Sequence, residues 1–97
     1  MSRFDVYKLG DGFALDCQAD IHRQLNTRFV VPMRLAAEGY PAKHGLNPTF
    51  RLNSLELVMI TEFASTIVVS ELGERIGSID QYHSEIIQAL DLLISGF

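Results

Sequence analysis

The sequence predicts a small α+β domain, a mainly antiparallel and barrel-like sheet followed by one C-terminal helix. Two patterns predict it. Short stretches that alternate apolar and polar residues, separated by turn residues, fill the chain as far as about residue 72. From Ser78 onward the apolar residues recur every three or four positions instead, which is the spacing of one helical face. Length and composition agree: 97 residues, 47% hydrophobic and 21% charged, describe an ordinary globular chain. Residues 1–97 are therefore expected to form one domain around one core.

In chain order, Phe4–Leu9 and Phe13–Ala19 both alternate, and Gly10-Asp11-Gly12 between them reads as the turn of a hairpin. Asp20–Thr27 breaks the alternation and is predicted to be a loop. Arg28–Leu35 is rich in β-formers, but Pro32 lacks an N–H, so the strand is expected to end there or to lie on an edge. Gly39, Pro41, Gly45 and Pro48 punctuate the next segment, predicting an irregular connection with a short helical turn. Thr49–Leu52 is a short strand and Asn53-Ser54 a two-residue turn. Leu55–Phe63 is long and apolar, which predicts a central strand buried on both faces. Ala64-Ser65-Thr66 interrupts before a last strand at Ile67–Leu72, and Gly73–Gly77 reads as a connection to the helix.

On the helix, Ile79, Tyr82, Ile86, Leu90, Leu93 and Phe97 form one stripe. Ser78 or Asp80 is placed to cap its start, and Gly96 is a natural left-handed stop. Ile87, Leu92 and Ile94 project from other sides. That is more apolar surface than a small sheet covers, so a second surface is expected, such as a homodimer interface or a binding face.

The search for chemistry points away from an enzyme. Net charge is −4 and no Lys/Arg cluster occurs, which disfavours direct nucleic-acid binding. No apolar run reaches the length of a membrane span and no secretory signal opens the chain, so a cytoplasmic location is expected. The single Cys17 cannot form an internal disulfide and reads as a small, half-buried strand residue. Metal-ligand spacings are missing, with His22, His44 and His83 far apart, so neither metal nor cofactor is predicted. Asp16, Asp20 and His22 gather at a strand end, where an acid/base pair can be built. A solvated loop with an Asx-type turn at Asp20 is the favoured reading. Thr61-Glu62 and Ser65-Thr66 read as cross-strand and turn chemistry.

Several segments carry a resemblance that covers most of the chain. They are Phe4-x-Val6-Tyr7, Asp16-x-Gln18-x-Asp20-Ile21 and Thr27-Arg28-Phe29-Val30-Val31-Pro32-Met33. Met59-x-Thr61-x-x-x-Ala64-Ser65 follows, then Glu85-Ile86-x-x-Ala89 running into Leu90-Asp91-Leu92-Leu93-Ile94-Ser95-Gly96-Phe97. In order and spacing the chain resembles the CcdB family of toxins from type II toxin–antitoxin modules, the kind associated with plasmid maintenance. The resemblance implies an SH3-like barrel with a C-terminal helix, a homodimer, and poisoning of DNA gyrase through binding of its A subunit. It also implies neutralisation by a CcdA-like antitoxin whose disordered C-terminal segment folds onto the toxin. The family's gyrase contacts fall here on Ile21, His22, Asp91, Ile94, Ser95, Gly96 and Phe97. Two of these depart from the pattern of the best-known toxin, which has tryptophan at the position of Ser95 and isoleucine at that of Phe97. MazF-like endoribonucleases share the fold, and an antitoxin-binding homologue without gyrase activity is a further alternative.

Overall fold

The computed structural model describes residues 1–96. Its strands are β1 (Asp5–Leu9), β2 (Gly12–Asp16), β3 (Thr27–Leu35), β4 (Thr49–Leu52), β5 (Leu55–Met59), β6 (Ser65–Val68) and β7 (Arg75–Ser78). One helix, α1 (His83–Ser95), follows them. Neighbouring strands pair antiparallel in the order β4-β5-β3-β2-β1-β7, and β6 pairs with the first part of β3. The sheet curls into a half-barrel and α1 packs against it, giving the α+β fold that the patterning predicts.

Both hairpins follow from their turn residues. β1 and β2 pair from Val6↔Leu15 to Leu9↔Gly12, leaving Gly10-Asp11 as the turn. β4 and β5 close at Leu52↔Leu55 around Asn53-Ser54, and Asn53 takes a φ of 56°, a conformation that asparagine tolerates better than most residues. β2 ends at Asp16 rather than Ala19, because the following residues turn into the loop that carries Asp20–His22.

Pro32 neither ends β3 nor lies on an edge, contrary to expectation. β3 runs through it with β2 on one side, and on the other side it pairs with β6 over Thr27–Val30 and with β5 over Met33–Leu35. The Pro32 carbonyl faces that second side, accepting from Ile60 N–H at 2.9 Å. In an extended strand its nitrogen faces the same way. The missing N–H thus falls at the changeover between β6 and β5, where no ladder acceptor is due.

The long apolar run also divides differently. β5 stops at Met59, and a 3-10 turn at Thr61–Phe63 redirects the chain so that β6 returns along β3. Leu57, Val58 and Met59 are buried in succession, so burial on both faces holds for the second half of β5. Phe63 is 62% exposed. The strand predicted at Ile67–Leu72 begins earlier, at Ser65, and gives way to a 3-10 turn at Val69–Glu71. Gly73–Gly77, read as a connection, contains most of β7, which pairs with β1 on the sheet edge. A Cβ at Gly77 would stand 2.9 Å from Leu52 Cδ1, so glycine lets this strand lie against Leu52 of β4 without moving that side chain.

The core joins sheet to helix. Phe4, Val6, Leu15, Val31, Met33, Leu57, Met59, Ile79, Ile86 and Ala89 are all fully buried within it. Phe4 enters β1 at φ 74°, an outlier for a bulky residue. Its ring is completely buried, and its carbonyl accepts from Ile79 N–H at 3.0 Å, so the sheet and the start of the helical segment hold it there. The start of the helix differs from expectation, whereas Gly96 ends it as expected. Ser78 Oγ accepts the N–H of Asp80 at 3.2 Å, closing the entry to a 3-10 turn at Asp80–Tyr82, while α1 itself starts at His83 with no side-chain cap.

The buried stripe of α1 is Ile86 and Ala89, flanked by partly buried Tyr82, Ile87 and Leu90. Leu93, expected on this stripe, is 42% exposed, because the last turn extends past the sheet.

Candidate partner-binding site

The end of α1 is built to be presented. Gly96 takes the left-handed cap conformation at φ 79°, and its N–H donates to Leu92 O at 2.9 Å, satisfying a carbonyl that the helix end leaves open. Ile94 is 77% exposed, and Asp91, Leu93, Ser95 and Gly96 are exposed around it. Of the apolar excess that the patterning predicts, only Ile94 is exposed, while Ile87 packs against the core. Leu92 faces the other way, close against Gly45. Phe97 lies outside the described residues.

Ile21 and His22 lie in the 3-10 turn Asp20–His22, and Ile21 is 84% exposed. No residue of that turn is buried, so polar contacts hold the loop. Asp20 Oδ1 accepts the N–H of Arg3 at 2.7 Å, replacing the expected Asx-type turn with a link to the chain start. Gln18 Nε2 donates to His22 O, and Gln18 Oε1 accepts from Phe29 N–H, both at 2.9 Å. Asn26 O accepts Val69 N–H at 2.8 Å. No hydrogen bond among the described residues joins this loop to the last turn of α1. Its Arg3 anchor lies next to Phe4, whose ring packs edge-on against His83 at the opposite end of the helix.

Beneath the loop is a buried ion pair that the sequence reading did not foresee. Arg28 Nε and one terminal nitrogen reach Asp16 Oδ2 at 3.0 and 2.5 Å, and both side chains are fully buried. Burial raises the Asp16 carboxyl above its ordinary value, and the hydrogen bond from Arg28 works against that rise. Asp16 Oδ1 accepts the N–H of Gln18 at 3.1 Å, so the pair is continuous with the loop anchor. Asp16 is thus a structural partner rather than a member of an Asp20–His22 constellation. Neighbouring Cys17 is half-buried, and burial pushes its thiol up to about 12, which leaves it protonated and a poor nucleophile.

A second polar cluster ties down the connection between β3 and β4. Tyr40 Oη donates to Glu62, Asn47 Nδ2 donates to Glu62 Oε1 at 2.7 Å, and Lys43 Nζ stands 3.5 Å from Oε2. Thr61 Oγ1 donates to Leu46 O in the same connection. Thr61 and Glu62 therefore attach this connection from a 3-10 turn, which fits the turn half of the expected cross-strand and turn chemistry. Although burial pushes Glu62 upward, the Tyr40 and Asn47 hydrogen bonds and the Lys43 charge bring it down to about 2. A carboxylate depressed in the folded state stabilises the fold above its unfolded value, and that stabilisation is lost as pH falls toward the folded value. Glu62→Gln is accordingly expected to cost about 1–3 kcal/mol at neutral pH. In urea unfolding, the variant should also lose part of the wild-type decline in stability between about pH 4.5 and 2. Beside this cluster a cleft of about 360 Å³ is lined by Pro32, Arg34, Glu38, Tyr40, Ile60 and Phe63, and none of the predicted site residues line it.

Among the described residues, no group of three or more His, Cys, Asp or Glu side chains is arranged to hold a metal ion. No helix is long and apolar enough to cross a membrane. The exposed helix end and the hydrogen-bonded loop offer surfaces for a macromolecular partner. Compared with curated proteins one at a time, the chain has no significant match. The family model described as CcdB protein matches residues 3–96, nearly the full length. The chain therefore belongs to the CcdB family, the toxins of toxin–antitoxin modules.

Proposed function

We propose that this toxin acts as a homodimer, binds the A subunit of DNA gyrase and traps the gyrase–DNA cleavage complex, catalysing no reaction of its own. A CcdA-like antitoxin neutralises it. The observation that carries the reading is the exposed end of α1. Ile94 stands almost free of its own domain beside Asp91, Ser95 and Gly96, the positions to which the resemblance assigns gyrase contact. A large apolar side chain held outward by a capped helix is a suitable interface anchor. Ile21 and His22 add a second contact from the loop.

Supercoiled plasmid, gyrase, ATP and purified toxin provide the test, read as linear DNA from trapped double-strand breaks. The wild type is expected to accumulate linear DNA. Ile94→Lys should raise the concentration required by about thirtyfold, the effect of losing an anchor of ~2 kcal/mol. Deleting Phe97 should abolish cleavage while changing stability by no more than about 1 kcal/mol. No cleavage from folded wild-type protein would sink the proposal. One observation favours a second reading in that event: exposed Ser95 offers only a hydroxyl where the best-known toxin has a large aromatic. Tight antitoxin binding without gyrase cleavage would identify a homologue that has kept its partner and lost its target.

A further inference from the structure

We infer that Gln18 is a positioning residue for gyrase recognition, its side-chain amide setting the shape of the loop that presents Ile21 and His22. The inference rests on the reading that those two residues contact gyrase. Residues 20–26 are all exposed, and the two large apolar side chains among them, Ile21 and Leu25, point into solvent, so burial cannot fix the loop. Hydrogen bonds must do so. Backbone bonds close the local turns, from His22 N–H to Ala19 O, Arg23 N–H to Asp20 O and Leu25 N–H to His22 O, and those at Asp20 and Asn26 bind the two ends of the loop to Arg3 and Val69, outside it.

Gln18 is the one described side chain that bridges the loop itself. Its Nε2 donates to His22 O and its Oε1 accepts from Phe29 N–H, both at 2.9 Å. One planar amide therefore sets the distance between the 3-10 turn and the start of β3. The bridge also needs both faces of an amide. A carboxylate can accept from Phe29 but repels the His22 carbonyl, and a hydrocarbon or thioether of the same length does neither.

The main chain of Gln18 is held from below. Its backbone N–H donates to Asp16 Oδ1, and the other oxygen of Asp16 is locked by Arg28 in the buried pair. The residue thus stands at the junction between a rigid base and a loop with no core of its own. Ordering such a loop before encounter removes an entropic cost that binding would otherwise meet.

The test is a double-mutant cycle on the full-length toxin. Its readout is the equilibrium dissociation constant for purified gyrase A subunit. Gln18→Met and Gln18→Glu are each measured alone and combined with Ile21→Ala/His22→Ala. Thermal unfolding confirms that every variant is folded, and having two replacements at position 18 keeps the test intact if one fails to fold. In the otherwise wild-type toxin, either replacement should weaken binding by about tenfold, Gln18→Met by losing two hydrogen bonds and Gln18→Glu by losing one and repelling the His22 carbonyl. In the Ile21→Ala/His22→Ala background the same change should weaken it by less than about twofold, since nothing remains to be positioned. An equal loss in both backgrounds, or no loss in either, would overturn the inference. A wild type that does not bind gyrase A, or an Ile21→Ala/His22→Ala variant that binds unchanged, would instead overturn the reading beneath it, and the inference with it.

Discussion

Asp16→Ala is expected to lower the free energy of unfolding by about 3–5 kcal/mol, the usual result of removing one partner from a buried ion pair. The arrangement around Arg28 is the reason. Its side chain is fully buried, two of its nitrogens are spent on Asp16 Oδ2, and the third has no hydrogen-bond partner among the described residues. Without Asp16 the guanidinium would keep its charge and lose every counterpart within bonding distance. The Gln18 N–H would lose its acceptor as well. Against a total stability of about 5–15 kcal/mol, such a loss removes between about a fifth and all of it. Chemical denaturation of Asp16→Ala, Arg28→Met and the double variant checks the cause. The double variant should recover most of the loss, because it leaves no unpaired charge. An Asp16→Ala protein within about 1 kcal/mol of wild type would mean that solvent reaches Arg28.

Ile86→Asp should leave no folded protein at all, whereas Ile94→Asp, two turns further along the same helix, should change stability by less than about 0.5 kcal/mol. Ile86 is fully buried where α1 meets the sheet, beside Ala89. Replacing it with aspartate removes about 2–5 kcal/mol of packing and places an unpaired carboxylate in the core. Ile94 touches little of its own domain and has almost nothing to lose. Far-UV circular dichroism at 25 °C separates the outcomes. A folded Ile86→Asp protein would show that the helix rests on the sheet by another face.

Where one local rule was decisive, the fold was legible. The β1–β2 hairpin and the Asn53-Ser54 turn combine strict alternation with turn residues at the right places, and the structure follows them nearly residue for residue. The errors occur where tertiary context outweighs local pattern. The run from Leu55 to Phe63 is apolar throughout, so nothing in its composition marks Met59 as the end of a strand. The redirection depends on a 3-10 turn whose Thr61 is held by Leu46, 15 residues away. β7 was missed because its glycine, which reads as a connection, instead lies within the strand against the side chain of Leu52. Pro32 misled in the opposite sense, since its cost depends on which side of β3 changes partner.

In the candidate site, spacing marks Ile94 as outward but misplaces Leu93, Ile87 and Leu92, and the proposed contact residues come from resemblance alone. The supports could not be read from the sequence. Gln18 bonds Phe29, 11 residues along, and Arg28 bonds Asp16 from 12 residues away, pairings that exist only once β2 and β3 are aligned.

The overhang of α1 has a consequence for how such a toxin can change over time. The sheet constrains the helix at Ile86 and Ala89, while Asp91, Ile94 and Ser95 face away from it. If the end of α1 binds the target as proposed, selection for folding and selection for that target act on different residues of one element. A lineage can then exchange exposed side chains along the last turn without passing through unfolded intermediates. Ser95, one of the two positions that depart from the pattern of the best-known toxin, lies in that exposed stretch. A toxin built this way can follow a target that mutates to resistance, or adopt a new one, while its barrel stays unchanged.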